Sequence, residues 1–420
     1  MDQVAALHWI QENIQEFYGD NNNVTIIGHG YGAACAHLLM LSPMATGLFA
    51  RVVLMSGSAL SPWAIARNAD IYSIKLAQEL NCPIYDNIVM VDCIRHKTVE
   101  EIQAVPLEAP QYLTSFGPII DGILVPSEPK HILETGLSDF NYHFQHNVSG
   151  HGVGASGATA GAATAPQPVP APPPQPPLTP LLSQSVHYIN NYDLLFGVTR
   201  VEAPYVFGAH EERHGIDPSK RDRILRTLVR NLFDFQQQSI FLTLMNEYTD
   251  WNRPVDHPIN LLDSTVDILG DALRVSSLIE SGDLHSKWIS SQPNPQHTSQ
   301  YNHHYHQSSQ QPSQPYISFN GGNGADGANG ALPGGPGGSG GGRNARIYFY
   351  VFAYQSEDGN KLLHQRLGCM HGEELAYLFG APLAVQLLGR PVGHFAANYS
   401  KPEITLSEAV MTYWTNFAKY

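Results

Sequence analysis

The first hundred residues alternate between helical and strand patterns of apolar positions. An apolar stripe at spacings of three and four predicts an amphipathic helix over residues 2–17. Its members are Val4, Leu7, Ile10, Ile14 and Phe17. Two runs rich in β-branched residues predict strands at residues 24–27 and 51–55. Further helices are predicted at residues 33–40, 70–80 and 98–104.

Similar patterns continue in the rest of the chain. Strands are predicted at residues 192–198 and 347–352, and a helix at 406–417. Asp217 followed by Pro218 has the chemistry of a helix N-cap and first helical position. Residues 260–275 carry an apolar stripe that fits either a core or a helix–helix interface. Strands that alternate with helices predict an α/β fold whose mainly parallel sheet is covered by helices on both faces.

Two segments of biased composition divide the chain. Residues 139–185 are rich in Gly and Ala and then in Pro, and residues 288–345 are rich in Ser, Gln and His and then in Gly. Neither composition can bury an apolar core, so we predict that both segments are disordered. The ordered blocks, which together form one fold, are then 1–138, 186–287 and 346–420.

The balance of charge disfavours some classes of partner. The chain has 420 residues, with 23 Lys and Arg against 37 Asp and Glu, and a formal net charge of −14. Such a chain is poorly suited to bind nucleic acid or an anionic membrane. No run approaches the roughly 20 apolar residues of a membrane span. Because Met1 begins inside a helical pattern without a signal peptide, we expect a fragment or a truncated gene product.

Cysteines and glycosylation sequons favour an extracellular setting. The four cysteines are Cys35, Cys82, Cys93 and Cys369. None belongs to a C-x-x-C pair, which disfavours a zinc site, and we predict neither a metal nor a cofactor. Cys82 and Cys93 fit either a small disulfide loop or two buried thiols. Sequons begin at Asn23, Asn147 and Asn398.

The segment at residues 24–32, VTIIGHGYG, runs from a strand pattern through a glycine-rich turn into a helix pattern. This layout matches the nucleophile elbow of an α/β-hydrolase, written G-x-S-x-G. Gly28 and Gly32 hold the two glycine positions, and Gly30 stands where the serine belongs. Glycine has no side chain that could attack a carbonyl carbon. The turn therefore predicts a hydrolase fold without hydrolase chemistry.

The other two members of a catalytic triad have candidates in the expected order. In α/β-hydrolases the serine is followed along the chain by the acid and then by the histidine. Glu202 follows the strand predicted at 192–198, and His371 follows the strand predicted at 347–352. A carboxylate fixes the tautomer of its partner imidazole. Without a serine to activate, we interpret this pair as a structural hydrogen bond between two loops.

Several segments outside the turn carry a more specific resemblance. They read DQVAALHWIQEN at 2–13, LMSGSA at 54–59, FGPIIDG at 116–122, GVT at 197–199 and HGEE at 371–374. Together with the glycine turn, they resemble the carboxylesterase/cholinesterase family and, within it, the insect-type neuroligins. NEYTDW at 246–251 and MTYWTNFAK at 411–419 support the same resemblance. The serine-to-glycine change is usual in neuroligins. The resemblance covers the three ordered blocks and neither biased segment.

This resemblance implies an α/β-hydrolase fold used for cell adhesion. A neuroligin is a postsynaptic protein of the plasma membrane that binds neurexins through calcium, so calcium at the partner interface is expected. By position, Cys82 and Cys93 form the small-loop disulfide of the family. The partner surface lies between residues 200 and 212. Its predicted members are Arg200, Glu202, Tyr205 and Glu212.

The family also implies a homodimer held by a helical bundle. The helix at 260–275 supplies half of that bundle, and the second helix falls beyond Tyr420. The predicted dimer contacts are Leu262, Val266, Leu269 and Leu273. The earlier strands and the oxyanion loop of the family precede Met1. We therefore expect residues 24–27 to form an exposed apolar edge strand and this chain to fold poorly on its own.

Three alternatives remain beside a neuroligin-like adhesion protein. One is another non-catalytic adhesion protein of the cholinesterase type, similar to gliotactin, with a different partner. A second is an active carboxylesterase that uses Ser56, Ser58 or Tyr31, although none of these occupies the elbow position. A third is a truncated isoform that acts as a decoy, because the chain contains no anchor, signal or cytoplasmic tail.

Overall fold

The computed structural model describes most of the three ordered blocks. The described residues are 1–135, 192–203, 207–254, 256–290, 317–321, 345–356, 367–388 and 399–420. The segment at 139–185, the sequon residues Asn147 and Asn398, and Tyr205 of the predicted partner surface lie outside them.

A five-stranded sheet forms the centre of the molecule. Its strands are β1 Thr25–His29, β2 Arg51–Met55, β3 Asp193–Thr199, β4 Ile317–Gly321 and β5 Ile347–Phe352. They lie in the order β1-β2-β3-β5-β4. The first three junctions are parallel, and β4 pairs with β5 in the antiparallel sense. The predicted, mainly parallel sheet is thus confirmed.

The register brings the carboxyl ends of the parallel strands together. His29 of β1 lies opposite Met55, Met55 lies opposite Gly197, and Gly197 lies opposite Tyr350. In open α/β sheets, binding sites form outside this carboxyl edge. The glycine turn after β1 and the loops after β3 and β5 therefore open onto one edge of the sheet.

Helices from all three blocks pack around the sheet. The helices of the first block are α1 Asp2–Asn13, α2 Tyr31–Met40, α3 Ala69–Glu79, α4 Asn87–Arg95, α5 Val99–Gln103 and α6 Pro129–Thr135. Those of the second are α7 Ala209–His214, α8 Pro218–Leu232, α9 Gln237–Glu247, α10 Pro258–Gly270 and α11 Ser276–Ser290. Those of the third are α12 Glu374–Leu378, α13 Ala381–Leu388 and α14 Lys401–Lys419.

The central strands are buried on both faces, because helices pack against each side. Val52 and Leu54 of β2 point into a core that also contains Leu278 of α11. Val53 of β2 points the other way, into a core that contains Trp414 of α14. Adjacent side chains of a strand point to opposite faces, so one apolar run supplies both cores.

Three differences from the sequence predictions have simple causes. Helices α4 and α6 were not predicted; α4 begins at the N-cap Asp86, whose carboxylate accepts from two backbone N–H groups. Helix α14 begins earlier than predicted, because the Glu403 carboxylate accepts from the Ser400 N–H at 2.6 Å and so fixes the start of the helix. The prediction of disorder throughout 288–345 is wrong at β4 and at the last turn of α11. The composition around β4 does not predict a strand, but hydrogen bonds to β5 stabilise one there.

The stripe at 260–275 packs inside the chain. Helix α10 and the π-helical turn Asp271–Val275 carry it, and α11 continues the same rod. The predicted dimer contacts are all buried: Leu262 at 0%, Val266 at 3%, Leu269 at 0% and Leu273 at 2% exposure. They belong to a core shared with α8 and α9. The prediction that these four side chains form a dimer interface is therefore wrong, since no partner helix can reach them.

Candidate functional site

The glycine turn has the backbone of a nucleophile elbow. Gly30 is the N-cap of α2, with φ +56° and ψ −116°. Its N–H donates to the carbonyl of Met55 at 2.8 Å, which fixes the turn against β2. Gly28 has to be glycine, because a Cβ there would lie 2.1 Å from the carbonyl oxygen of Gly32. The chain thus keeps the sharp strand-to-helix turn that presents residue 30 above the sheet.

The space beside Gly30 is bordered by an imidazole. A Cβ at Gly30 would have His371 as its nearest neighbour, with Nε2 at 3.5 Å. A side chain at this position would therefore point towards the ring nitrogen that accepts a proton in a catalytic triad. The geometry keeps the base in place, and the residue that it would activate is glycine.

Glu202 and His371 form the predicted acid–base pair. His371 Nδ1 lies 2.7 Å from Glu202 Oε2, and only 2% of Glu202 is exposed. The other carboxylate oxygen accepts from the Ser56 hydroxyl at 2.6 Å and from the Thr199 N–H at 2.6 Å. Burial alone would raise the pKa of Glu202, but these hydrogen bonds and the nearby His371 hold it below its usual value.

The carboxylate ties together loops from three strands. Ser56 follows β2, Glu202 follows β3, and His371 lies in the loop that leads to α12. The same loop is pinned to β3 by a short bridge, in which the Val201 N–H donates to the Cys369 carbonyl at 3.0 Å. The pair therefore has the connections of a structural cross-link as well as those of an acid–base dyad.

Two contacts that the sequence did not indicate come from the π-helical turn between α10 and α11, and one of them reaches Glu202. Arg274, in the π-helical turn, donates to the Glu202 carbonyl at 2.7 Å. Trp63 donates from its indole nitrogen to the Leu273 carbonyl at 2.8 Å. The π-helical turn displaces the backbone by one residue, and both contacts come from it. No local pattern in the sequence marks this insertion.

A second histidine–carboxylate pair lies against the first. His29, between the two glycines of the turn, stacks on His371 with ring centroids 4.4 Å apart. Its Nε2 lies 3.4 Å from Oε1 of Glu374, which is 1% exposed. Both residues lie inside motifs quoted above, but spacing along the chain gave no reason to pair them.

The other hydroxyls near the turn are not placed as nucleophiles. Ser56 donates a hydrogen bond to Glu202 Oε1 at 2.6 Å, and Ser58 donates to the Ser277 carbonyl at 3.2 Å within the core. Tyr31 is exposed and packs its ring against Trp63.

The predicted partner surface is only partly available. Arg200 is exposed at the end of β3. Glu202 and Glu212 are 2% and 7% exposed, respectively. Glu202 is held inside by its hydrogen bonds and Glu212 by the packing of α7, so the prediction that both carboxylates face a partner is wrong.

The disulfide implied by the resemblance is present. Cys82 and Cys93 are bonded, and they join the end of α3 to α4, while Cys35 and Cys369 are free thiols. At the sequon residue Asn23, the side-chain oxygen accepts a hydrogen bond from Arg51. Glycosylation of Asn23 stays a prediction.

In the described part of the chain, no three metal-ligating side chains converge. No helix among these residues combines the length and apolar character needed to cross a bilayer.

The fold and the site define the class of the molecule: an α/β-hydrolase fold in which a histidine–glutamate pair faces a glycine at the nucleophile turn. The sequence profile described as the Carboxylesterase family matches residues 1–145 and 340–420, more than half of the chain. The chain belongs to the carboxylesterase family.

Within that family, the chain is neuroligin-like. It is 28% identical to neuroligin-3 of Mus musculus over 422 residues, covering 100% of this chain and 37% of that protein. It is 31% identical to neuroligin-1 of Caenorhabditis elegans over 298 residues, covering 68% of this chain and 31% of that protein. Identity to neuroligin-2 of Rattus norvegicus is 26% over 424 residues, covering 100% of this chain and 37% of that protein. The chain thus spans about a third of the length of these relatives.

Proposed function

We propose that this protein is a catalytically inactive, cholinesterase-like cell-adhesion protein that binds a neurexin-like partner at synapses. The observation that carries the proposal is Gly30. It occupies the elbow position, 3.5 Å (measured from an ideal Cβ) from a correctly placed His371 Nε2, and has no atom that could form an acyl intermediate. The likeness to neuroligins supplies the class of partner.

The acid–base pair fits a structural role in such a protein. Glu202 accepts hydrogen bonds from groups on two other loops, and these contacts are useful whether or not a nucleophile is present. Covalent catalysis needs a nucleophile beside the base, and Ser56 and Ser58 are engaged elsewhere. In this proposal, Glu202 and His371 stabilise the scaffold by joining its loops.

The further parts of the proposal follow the family. We place the protein at the cell surface on the postsynaptic side, with calcium bridging the partner interface and a homodimer in the complete molecule. Arg200, which is exposed, is the remaining candidate from the predicted partner surface in the described part of the chain. The dimer contact would have to use residues other than the buried stripe of α10.

The first experiment measures binding of this chain to a neurexin ectodomain with calcium and with EDTA. Thermal unfolding monitored by circular dichroism checks that each sample is folded. We expect saturable binding that is lost in EDTA and weakened by Arg200→Glu, with Arg95→Glu as a control of equal charge change on an exposed helix. No binding from a folded sample would overturn the partner assignment and favour a gliotactin-like adhesion protein.

Hydrolysis of p-nitrophenyl acetate tests the inactive site separately. We expect the rate to remain at the level of a denatured sample, and His371→Ala to leave it unchanged. Turnover that His371→Ala abolishes would show an active carboxylesterase and would overturn the proposal.

A further inference from the structure

Helix α8 concentrates positive charge on an otherwise acidic chain. Its 15 residues contain five cationic side chains, whereas the whole chain has a net charge of −14. Three of them recur at positions i, i+3 and i+7, namely Arg223, Arg226 and Arg230, and all three are exposed. Residues at this spacing share one face of a helix.

These three arginines line a groove of about 630 Å³ between α8 and α9. Its volume is within the range of sites that bind ligands or short peptide segments. The walls also present the amides of Gln237 and Gln238, and the apolar side chains of Val229 and Phe241 form its floor. We call this surface the arginine groove.

The charge of the arginine groove is not neutralised by the molecule itself in the described residues. The ion pairs of the neighbourhood, such as Arg221 with Asp222 and Lys220 with Glu211, use other cations. Among the described residues that line the groove, Asp222 supplies the one carboxylate. A guanidinium that faces solvent without a carboxylate is available for bidentate binding of an anion.

One arginine is already held in position. The guanidinium of Arg226 lies 4.1 Å from the ring centroid of Phe241, and it donates to Gln238 Oε1 at 3.1 Å. A side chain that is fixed before binding loses less conformational entropy when the partner arrives. The arginine groove therefore has a central cation held by two contacts, with an exposed arginine on each side.

We propose that the arginine groove binds a short acidic segment of a partner protein that carries apolar residues between its carboxylates. Carboxylates match the three guanidinium groups, the Gln amides can pair with a peptide backbone, and the apolar floor accepts aliphatic side chains. A long sulfated polysaccharide is less suited, because it would extend over the acidic remainder of the chain and be repelled. This proposal does not depend on the proposed adhesion function.

The test uses fluorescence anisotropy of a fluorescein-labelled octapeptide, EELEELEE, with the full chain at low salt. QQLQQLQQ is the uncharged control peptide, and a heparin hexasaccharide is the competing polyanion. The groove variant combines Arg223→Gln, Arg226→Gln and Arg230→Gln. A control variant combines Lys75→Gln, Arg95→Gln and Arg213→Gln, which are exposed elsewhere, so that both variants lower the net charge by three.

We expect the acidic peptide to bind, the uncharged peptide not to bind, and the groove variant to lose about tenfold in affinity. A tenfold loss is expected if three exposed ion pairs are removed and each contributes a free energy in the middle of the range measured for such pairs. The control variant should lose less than twofold. Replacing the three arginines by lysine should cause an intermediate loss, because the charge stays and the bidentate geometry is removed.

Three results would overturn the proposal. The acidic peptide fails to bind at millimolar concentration to a sample that circular dichroism shows to be folded. The two triple variants weaken binding equally, so that the general field of the protein is responsible. Or the heparin hexasaccharide binds more tightly than the peptide and depends on the same arginines, which would assign the groove to a sulfated glycan.

Discussion

Removal of the Glu202 carboxylate tests whether the pair of Glu202 and His371 stabilises the fold. In Glu202→Ala, the Ser56 hydroxyl and the Thr199 N–H, both buried, lose their acceptor, and His371 loses its partner. An unsatisfied buried donor costs about 1–3 kcal/mol. Because the imidazole side chain is 17% exposed and can bind water instead, its share is small. We expect a total loss of about 3–5 kcal/mol in the free energy of unfolding.

The assay is urea unfolding at pH 7.5, followed by circular dichroism and tryptophan fluorescence. With a denaturant slope of about 3 kcal/mol per molar urea, the midpoint should fall by about 1–1.7 M. Glu202→Gln keeps the shape and one acceptor oxygen, so its loss should be about 1–2 kcal/mol. Glu408→Ala, at an exposed position of α14, is the control and should change stability by less than about 0.5 kcal/mol.

The pH dependence gives a second check on the same residue. Since the folded protein holds the pKa of Glu202 below its usual value, the stabilisation is present above the unfolded pKa of 4.5. It disappears as the pH falls through the lower, folded pKa. The difference between the parent protein and Glu202→Ala should therefore shrink at acidic pH. A loss below about 1 kcal/mol at pH 7.5, or a difference that grows on acidification, would refute the structural role.

Three further predictions concern the core and the disulfide. Burial, and then the nearby His285, lowers the pKa of His37 to about 3, and burial lowers that of His285 to about 4. In the unfolded chain these two histidines bind protons near pH 6.5, whereas in the folded chain they stay neutral at pH 5. Acidification from pH 7.5 to 5 should therefore lower the free energy of unfolding, measured with urea, by about 4 kcal/mol. His285→Leu should remove about half of this pH dependence, and an unchanged dependence would contradict the assignment. Leu262→Ala should cost about 2–5 kcal/mol, because this side chain is fully buried; a stable but monomeric variant would instead restore the dimer interpretation. Replacement of Cys82 and Cys93 together by serine should cost about 2–4 kcal/mol, and dithiothreitol should reproduce the effect in the parent protein only.

The sequence by itself determined the elements whose signals are local. Strands β2 and β5 were predicted at the residues where they lie, because their apolar runs are short and continuous. Asp217 caps α8, since its side chain can reach the N–H of Lys220 one turn later. The glycine turn was also predicted from the sequence, because the close approach of Gly32 requires glycine at position 28.

Only the tertiary structure decided which side chains meet. Ser56, Arg274 and Glu374 contribute to the site from residues far along the chain, and pairing of distant residues leaves no periodic signal. An apolar stripe such as that of α10 is expected both in a core and in a dimer interface. The packing of α8 and α9 against it shows that it belongs to the core. The arginine groove likewise exists because α9 lies beside α8, so that three arginines of one helix face line the space between the two helices. Hydrophobic periodicity determines which face of a helix is buried. Which element covers that face depends on the packing of the whole chain.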